Sequence, residues 1–469
     1  FYPVTPAGRM IASIFLVLGI GLLGFFVGFM AEFLARIRPI IVLSFNVEKP
    51  WYIFTDKSPY AIVFAENLKA VRPDAMIIYA ENTDETKASK SISVNWTVKE
   101  LLERRGSLYD AHVMCMKENE MENFLDSMAL SDIDVPIICL ASFTPVHHPM
   151  NINFFSITDC TARMFWQQFS VRKRTETIVL IGFGETGRVI LDRALELNVF
   201  HEAQNIRYHI FGDAGEYCRN RKRLSDVVSL NKFTEDRDCV FFHENLWNSD
   251  EALLAEADRI ILCSDTEKEN ISILHTIQKF FSISGEVYIY NSNVGSVATP
   301  FGQTRDVLTP AFVLHNTLSD MALCRHELYR FQFRGAGEIP MWEDLNSLVK
   351  DMNYAATDHI TIKTWMLIGD EAPSKPFDEI ESEILRKAGA AFMAADEQER
   401  KRLRQIEHNR CLRFYKLHNY QYGEFVDDEK RINPLVKPFE ELSEAEWPLV
   451  DTGWMLLDEL ASHKEAKRR

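Results

Sequence analysis

Residues 10–31 carry no charged side chain, and this run constrains the chain more than any other stretch of it. As a helix rising ~1.5 Å per residue it spans roughly 33 Å, enough to cross the hydrocarbon core of a bilayer. A signal peptide would have a shorter apolar core, and no small-residue cleavage site follows Ala31. The flanking cations decide orientation weakly, with Arg9 on one side and Arg36 and Arg38 on the other. The eight cysteines decide it better. They are scattered through the later sequence, several inside apolar runs such as 137–140 and 260–263, with no C-x-x-C pair. Such usage reads as reduced, buried thiols. The body after the helix is therefore expected in the cytoplasm, and the helix in the cell's inner membrane.

That body is globular and acidic. A hydrophobic content of 46% excludes a mainly disordered chain, and 469 residues suggest about three domains. A net charge of −16 argues against nucleic acid as a partner, because phosphate contacts need a clustered cationic face. The apolar helix holds Gly19, Gly21, Gly24 and Gly28. Gly24 and Gly28 suit close helix–helix packing. Glycines also lower the cost of bending, so Gly19, Gly21 and Gly24 are candidates for a hinge.

Residues 45–170 alternate apolar runs with helical patterns, which predicts a parallel sheet with helices on both faces. Strands are expected at 51–54, 75–80, 111–116, 135–140 and 152–156. Helices are expected at 58–71, 98–105, 118–128 and 162–169. The turn after the first strand, Thr55 to Tyr60, has no glycine. A backbone of that kind cannot approach a pyrophosphate closely, so this Rossmann-like unit is read as structural. Glu81 ends the second strand where a ribose-binding acid would sit. His147 and His148 lie between prolines and read as a surface loop.

The sharper signal lies in a second α/β unit, 175–335. A β-branched strand, 177–181, runs directly into Gly182, Phe183, Gly184, Glu185, Thr186 and Gly187, which open a helix. Gly182 permits the tight turn, Gly184 lets backbone N–H groups meet a phosphate, and Gly187 lets the helix pack on the strand. The next strand, 206–211, ends at Asp213, an acid placed to accept from ribose hydroxyls. After the strand at 259–263, Ser264, Asp265 and Thr266 are candidate edges of the pocket. They serve equally well as a helix cap. The expected ligand is an adenine nucleotide or dinucleotide such as NAD, ADP or ATP. Hydride transfer would need a substrate domain with a poised acid–base pair, and the sequence shows none, so no catalytic residues are assigned. No metal set is assigned either.

The remaining residues, 336–469, change pattern. A proline break at 373–376 is followed by a long charged helix expected over 379–417, whose 397–410 stretch reads as a solvated face. A final amphipathic helix ends in a basic tail.

Two resemblances enter on these residues. The segment Phe1 to Arg9 and the helical Val17 to Gly21 resemble a potassium-channel subunit just after its selectivity filter. Two Rossmann-like units behind such a helix resemble the RCK arrangement, the regulator of potassium conductance, over roughly residues 1–330. The resemblance implies a homotetramer around a K+ pore, gated at Gly19–Gly24 by a ligand-binding cytoplasmic ring. The filter is not in this chain, which begins at Phe1 and is expected to be the C-terminal part of a longer protein. Further on, Glu407 to Arg410, the Tyr420 to Gly423 turn, Asp428, Lys430, Pro434, Leu435 and 438–442 look like the RyR module of ryanodine receptors. Cys411 and Asn433 depart from that pattern, where Trp and His are usual. The resemblance implies a second sensing site, with Arg410, Tyr420 and Arg431 as its candidate residues. A membrane-anchored regulator of potassium uptake, or a Rossmann oxidoreductase, are the alternative readings.

Overall fold

The computed structural model describes residues 4–81, 91–334, 339–373, 375 and 380–468. Residues 1–3 of the opening segment lie outside the described residues. So do 374 and 376–379, where the proline break and the start of the long helix were expected. The chain forms two compact units, residues 1–139 with 151–153, and residues 140–150 with 154–469.

The first unit opens with α1 (Pro6–Ser44), capped by Thr5, whose hydroxyl accepts from the Gly8 N–H at 3.1 Å. Its segment Pro6–Ala31 has a mean hydropathy of 2.6 and is long enough to cross a membrane. The helix does not stop where the apolar run does. It continues to Ser44 with Pro39 inside it, a residue that removes one intrahelical hydrogen bond without ending the helix. Added Cβ atoms on Gly19, Gly21, Gly24 and Gly28 would meet nothing within 4 Å, so none packs against another part of the chain. The short connection to the sheet is pinned. Trp51 Nε1 donates to the Asn46 carbonyl at 2.9 Å, and Arg105 donates to the carbonyls of Val47 (3.1 Å) and Lys49 (2.9 Å).

Six strands follow: β1 (Trp51–Phe54), β2 (Met76–Tyr79), β3 (Ile92–Ser93), β4 (Ala111–Cys115), β5 (Ile137–Leu140) and β6 (Ile152–Phe155). They are ordered β3-β2-β1-β4-β5-β6, the dinucleotide-binding order, with α2 (Pro59–Val71), α3 (Val98–Arg105) and α4 (Glu120–Ala129) as crossovers. The fully buried β1, all four residues apolar, sits mid-sheet.

The second unit begins with α5 (Ile157–Gln168), expected at 162–169 as the closing helix of the first sheet. Its Ala162, Phe165 and Trp166 instead enter the core of the second sheet. That sheet comprises β7 (Thr175–Ile181), β8 (Asn205–Phe211), β9 (Ser229–Leu230), β10 (Cys239–His243), β11 (Arg259–Leu262), β12 (Glu286–Tyr290) and β13 (Thr299–Phe301). The order β13-β12-β11-β7-β8-β10-β9 is again doubly wound and every pairing is parallel. Its helices are α6 (Glu185–Leu197), α7 (Gly215–Asn220), α8 (Glu251–Glu256) and α9 (Glu267–Phe280). The strand order reverses between β7 and β11.

Short helices α10 (Thr304–Val307) and α11 (Pro310–Val313) lead to a helical module. It contains α12 (Thr317–Gln332), α13 (Ser347–Asp358), α14 (Ile360–Ile368), α15 (Ser382–Ala394), α16 (Glu397–Leu417), α17 (Trp447–Met455) and α18 (Leu457–Arg468). The single long helix expected over 379–417 is two. Ala395 is extended, and Asp396 caps α16 by accepting from the Glu399 N–H at 2.8 Å, so the chain turns there.

The charged stretch of α16 is also not a solvated face. Arg404, Glu407, His408, Arg410 and Arg413 are buried, Arg410 against Glu407 of the same helix and the others against partners from distant sequence. Arg413 reaches Asp238 at 2.6 Å, Arg404 reaches Asp451 at 2.8 Å, and Glu407 lies 2.9 Å from Lys363. Burial pushes the Lys363 ammonium down to about 8, with Glu407 opposing. The module is further joined to the second sheet by His359 Nε2, 2.8 Å from the Val199 carbonyl.

Arg163 of α5 forms a two-pronged pair with Asp358 of α13, at 2.6 and 3.1 Å, and Gln167 donates to the same carboxylate at 2.9 Å. Both charged groups are buried. Removing one partner leaves the other uncompensated, so Asp358→Ala should cost about 3–5 kcal/mol. The apolar pair Arg163→Met with Asp358→Leu should recover most of that loss. Urea unfolding of the detergent-solubilised protein measures both. An equal loss in the single and double variants would show that the pair is not the source.

Candidate functional site

The loop joining β7 to α6 is shaped by three glycines that each meet a neighbour. Gly182 has φ +95°, where a side chain is strained, and its N–H donates to the Phe211 carbonyl at 3.1 Å. A Cβ there would stand 2.3 Å from Ser264 Oγ. A Cβ on Gly187 would stand 2.2 Å from the Gly182 carbonyl oxygen, so only glycine lets α6 sit this close to the strand. Gly184 is the N-cap residue of α6 and contributes no side-chain cap.

Gly182 and Gly184 border a cleft of about 1080 Å³ at the carboxyl ends of β7, β8, β10 and β11. It lies where the strand order reverses, the position at which open α/β sheets bind ligands. Asp213 lies on the rim, exposed, with Oδ1 accepting from the Gly215 N–H at 2.9 Å. Ser264 is 3% exposed, lines the cleft, and its Oγ has no hydrogen-bond partner. Its backbone is fixed by Asn270, which accepts from the Ser264 N–H at 2.9 Å and donates to the Ser264 carbonyl at 2.8 Å. Thr266 borders the cleft and also caps α9, its hydroxyl accepting from the Glu269 N–H at 3.4 Å. Asp265 faces the loop itself. Glu185 and Thr186 contribute their backbone N–H groups at the first turn of α6.

Phe183 behaves differently from a ligand contact. It is buried against Tyr217 and Phe242, at ring distances of 5.1 and 5.9 Å, and wedges the loop onto the core. Gly212 (φ +146°) makes room for it, since a Cβ there would lie 2.7 Å from Phe183.

Sequence reasoning missed the far wall. Arg188, Phe242, His243 and Trp247 line the cleft. Only the aromatic run at the end of β10 could have signalled them. His243 Nε2 is 2.9 Å from His209 Nδ1, and the two rings stack with Phe211 and Phe241. Burial first, then His243 and Arg207, press His209 down to about 4.

In the first unit the equivalent turn is closed by a side chain. Ser58 caps α2, accepting from the Ala61 N–H at 3.1 Å, and donates to the Met116 carbonyl across the strand reversal. Glu81 has φ +53° at the end of β2. His147 is exposed, and among the described residues no group of three or more His, Cys, Asp or Glu is placed to hold a metal ion. In the helical module Arg410 is fully buried, bonded to Glu407 at 3.1 and 3.0 Å. Tyr420 donates to Asp428 at 2.8 Å, with the Arg431 guanidinium 5.6 Å from its ring centroid. Arg410 is thus engaged in the α16 network, and Tyr420 with Arg431 in the turn that follows.

No known family model matches the chain, and no curated protein does. Among solved structures, a crystal structure of a GsuK mutant aligns over 66% of this chain and 84% of that one. The identity is 15% and the TM-score 0.37.

Two outcomes follow from the geometry. Gly187→Ala meets backbone and should cost about 2–3 kcal/mol, whereas Gly184→Ala meets only the movable Asp265 side chain and should cost under ~1. Thermal unfolding of the two variants separates them, and equal losses would refute the distinction. The second concerns pH. His209 falls from its ordinary value of 6.5 to about 4 in the fold, so its contribution is present above pH 6.5 and is lost as pH falls through about 4. His209→Gln should flatten the decline of the urea midpoint over that window. An unchanged decline would assign it to His359 and His418, which burial also lowers to about 4.

Proposed function

We propose that the chain is a membrane-anchored subunit whose second Rossmann unit binds an adenine nucleotide or dinucleotide, and that this binding regulates potassium conductance. The observation that carries the binding half is the cleft at the β7–β11 reversal. There a glycine loop, a helix N-terminus, a rim carboxylate and an unpartnered buried hydroxyl converge. Asp213 suits ribose hydroxyls, the first turn of α6 suits phosphate, and Phe242 with Trp247 offers faces for a base. The first unit, with Ser58 filling its turn, acts as scaffold.

The potassium half rests on the residues of the opening segment and on the apolar helix joined to a cytoplasmic α/β body. The connection between α1 and β1 is short and held by Arg105 and Trp51, so movement in the first unit is transmitted to the helix rather than absorbed. Four copies would surround the pore. A ligand changes conductance only by the difference in its affinity for two arrangements of the assembly. The glycine-bearing helix would bend near Gly19–Gly24. The module carrying Arg410, Tyr420 and Arg431 serves as a second sensing or assembly element.

The test is potassium flux through the full-length protein in liposomes, with and without ADP, ATP or NAD, beside Gly184→Asp. The expected result is flux that responds to nucleotide in the native protein and not in the variant. Nucleotide binding without flux under any condition would replace the channel by a regulatory subunit of a separate uptake system. Turnover of NAD would replace both by an oxidoreductase.

A further inference from the structure

The two amides that a phosphate would use are already engaged. The Glu185 N–H donates to Asp265 Oδ2 at 3.1 Å, and the Thr186 N–H donates to Asp265 Oδ1 at 3.0 Å. A Cβ on Gly184 would lie 1.9 Å from Asp265 Oδ2, so the carboxylate rests against the bare Cα of the central fingerprint glycine. That glycine ordinarily admits a pyrophosphate to the backbone. Here the chain's own carboxylate sits in that space, planar and singly charged like one edge of a phosphate.

We propose that Asp265 is a built-in competitor for the phosphate seat of the Gly182–Gly187 loop, and that a nucleoside diphosphate binds only as Asp265 swings out. This inference rests on the nucleotide reading of the cleft and adds how that site is controlled. The backbone around Asp265 stays fixed when it moves, because Asn270 holds Ser264 from both sides and also donates to the Tyr290 carbonyl at 3.3 Å. The Asp265 side chain, by contrast, is exposed, so rotation carries it straight into water.

The seat also has donors that Asp265 does not use. Ser264 Oγ is 3% exposed and unpartnered beside Gly182. Arg188 Nε is buried without a hydrogen bond, while its Nη1 donates to Glu216 at 2.7 Å. A carboxylate engaging two amides leaves these groups unmet, whereas a diphosphate has enough oxygens and charge to engage them as well. The competition therefore selects for ligands that bring at least a diphosphate. A nucleoside lacking phosphate does not contest the seat and gains nothing from its release.

Removing the carboxylate tests this directly. ADP and adenosine binding are measured by calorimetry on the full-length protein, on Asp265→Asn and on Asp265→Ser. A charged cap on two amides is worth about one to two factors of ten, so both variants should bind ADP about ten- to a hundredfold more tightly. Adenosine affinity should stay within about twofold, since it does not use the seat. Hydrogen exchange supplies a readout independent of affinity. The Glu185 and Thr186 amides should exchange faster in Asp265→Ser and be protected again by ADP. ADP affinity that is unchanged or weaker in both variants overturns the proposal while leaving the nucleotide site standing. Equal tightening for ADP and adenosine also overturns it, because the gain would then come from general loosening of the cleft. Failure of all three proteins to bind either compound overturns the proposal together with the reading of the cleft.

Discussion

Much of the second unit depends on how closely β7, α6 and the end of β11 approach one another at the strand reversal. Gly187 lies against the Gly182 carbonyl, Gly182 against Ser264, and Gly184 against Asp265. At Gly182 and Gly187 a Cβ would meet backbone that cannot give way, whereas at Gly184 it would meet only the Asp265 side chain, so the first two set the approach and the third sets what rests in it. Their absence of bulk lets the helix N-terminus, the buried hydroxyl and the carboxylate share one small volume. The cleft, the anchoring of α9 by Asn270, and the wedge of Phe183 under Gly212 all follow from that approach. In the first sheet the same topology lacks these glycines, and Ser58 bridges the turn instead.

The helical module is joined to this sheet by buried charge pairs as well as by apolar contact. Arg163 with Asp358, and Arg413 with Asp238, are buried pairs between elements far apart in sequence. Such pairs contribute little net stability over apolar replacements, but a broken pair is costly, so they specify one docking arrangement. Ile362 and Leu417 add the apolar part, entering the core of the second sheet. Through these contacts the module and the cleft at the strand reversal belong to one compact body. A ligand in either would act on a shared framework.

The two parallel sheets were legible because buried strands carry short apolar runs and their crossover helices carry caps. Ser58, Thr97 and Thr266 each sit where a helix begins, and each accepts from the backbone as its residue type predicts. The glycine loop was legible for the same local reason. The far wall of the cleft was not, since Phe242, His243 and Trp247 are brought to Gly184 by strand order alone. The split of the expected long helix at Ala395 was signalled by Asp396 as a cap, a weak sign inside a strongly helical composition. The burial of Glu407 and Arg410 carried no local sign at all. A charged stretch reads as solvated unless its partners are known, and Lys363 lies 44 residues upstream of its partner Glu407, as Asp238 lies 175 residues upstream of Arg413.

The sequence by itself determined the apolar helix, the two α/β units and the position of the glycine loop, because each depends on residues within one or two turns of one another. Only the tertiary structure decided what occupies that loop. Asp265 is an ordinary helix-cap candidate in sequence, and it becomes the partner of the Glu185 and Thr186 amides because β11 lies beside β7 in the sheet. Backbone propensity is local, whereas the seat is made by two strand ends that lie 80 residues apart in the Glu185–Asp265 contact. The physical reason is that a hydrogen bond depends on where atoms meet in space.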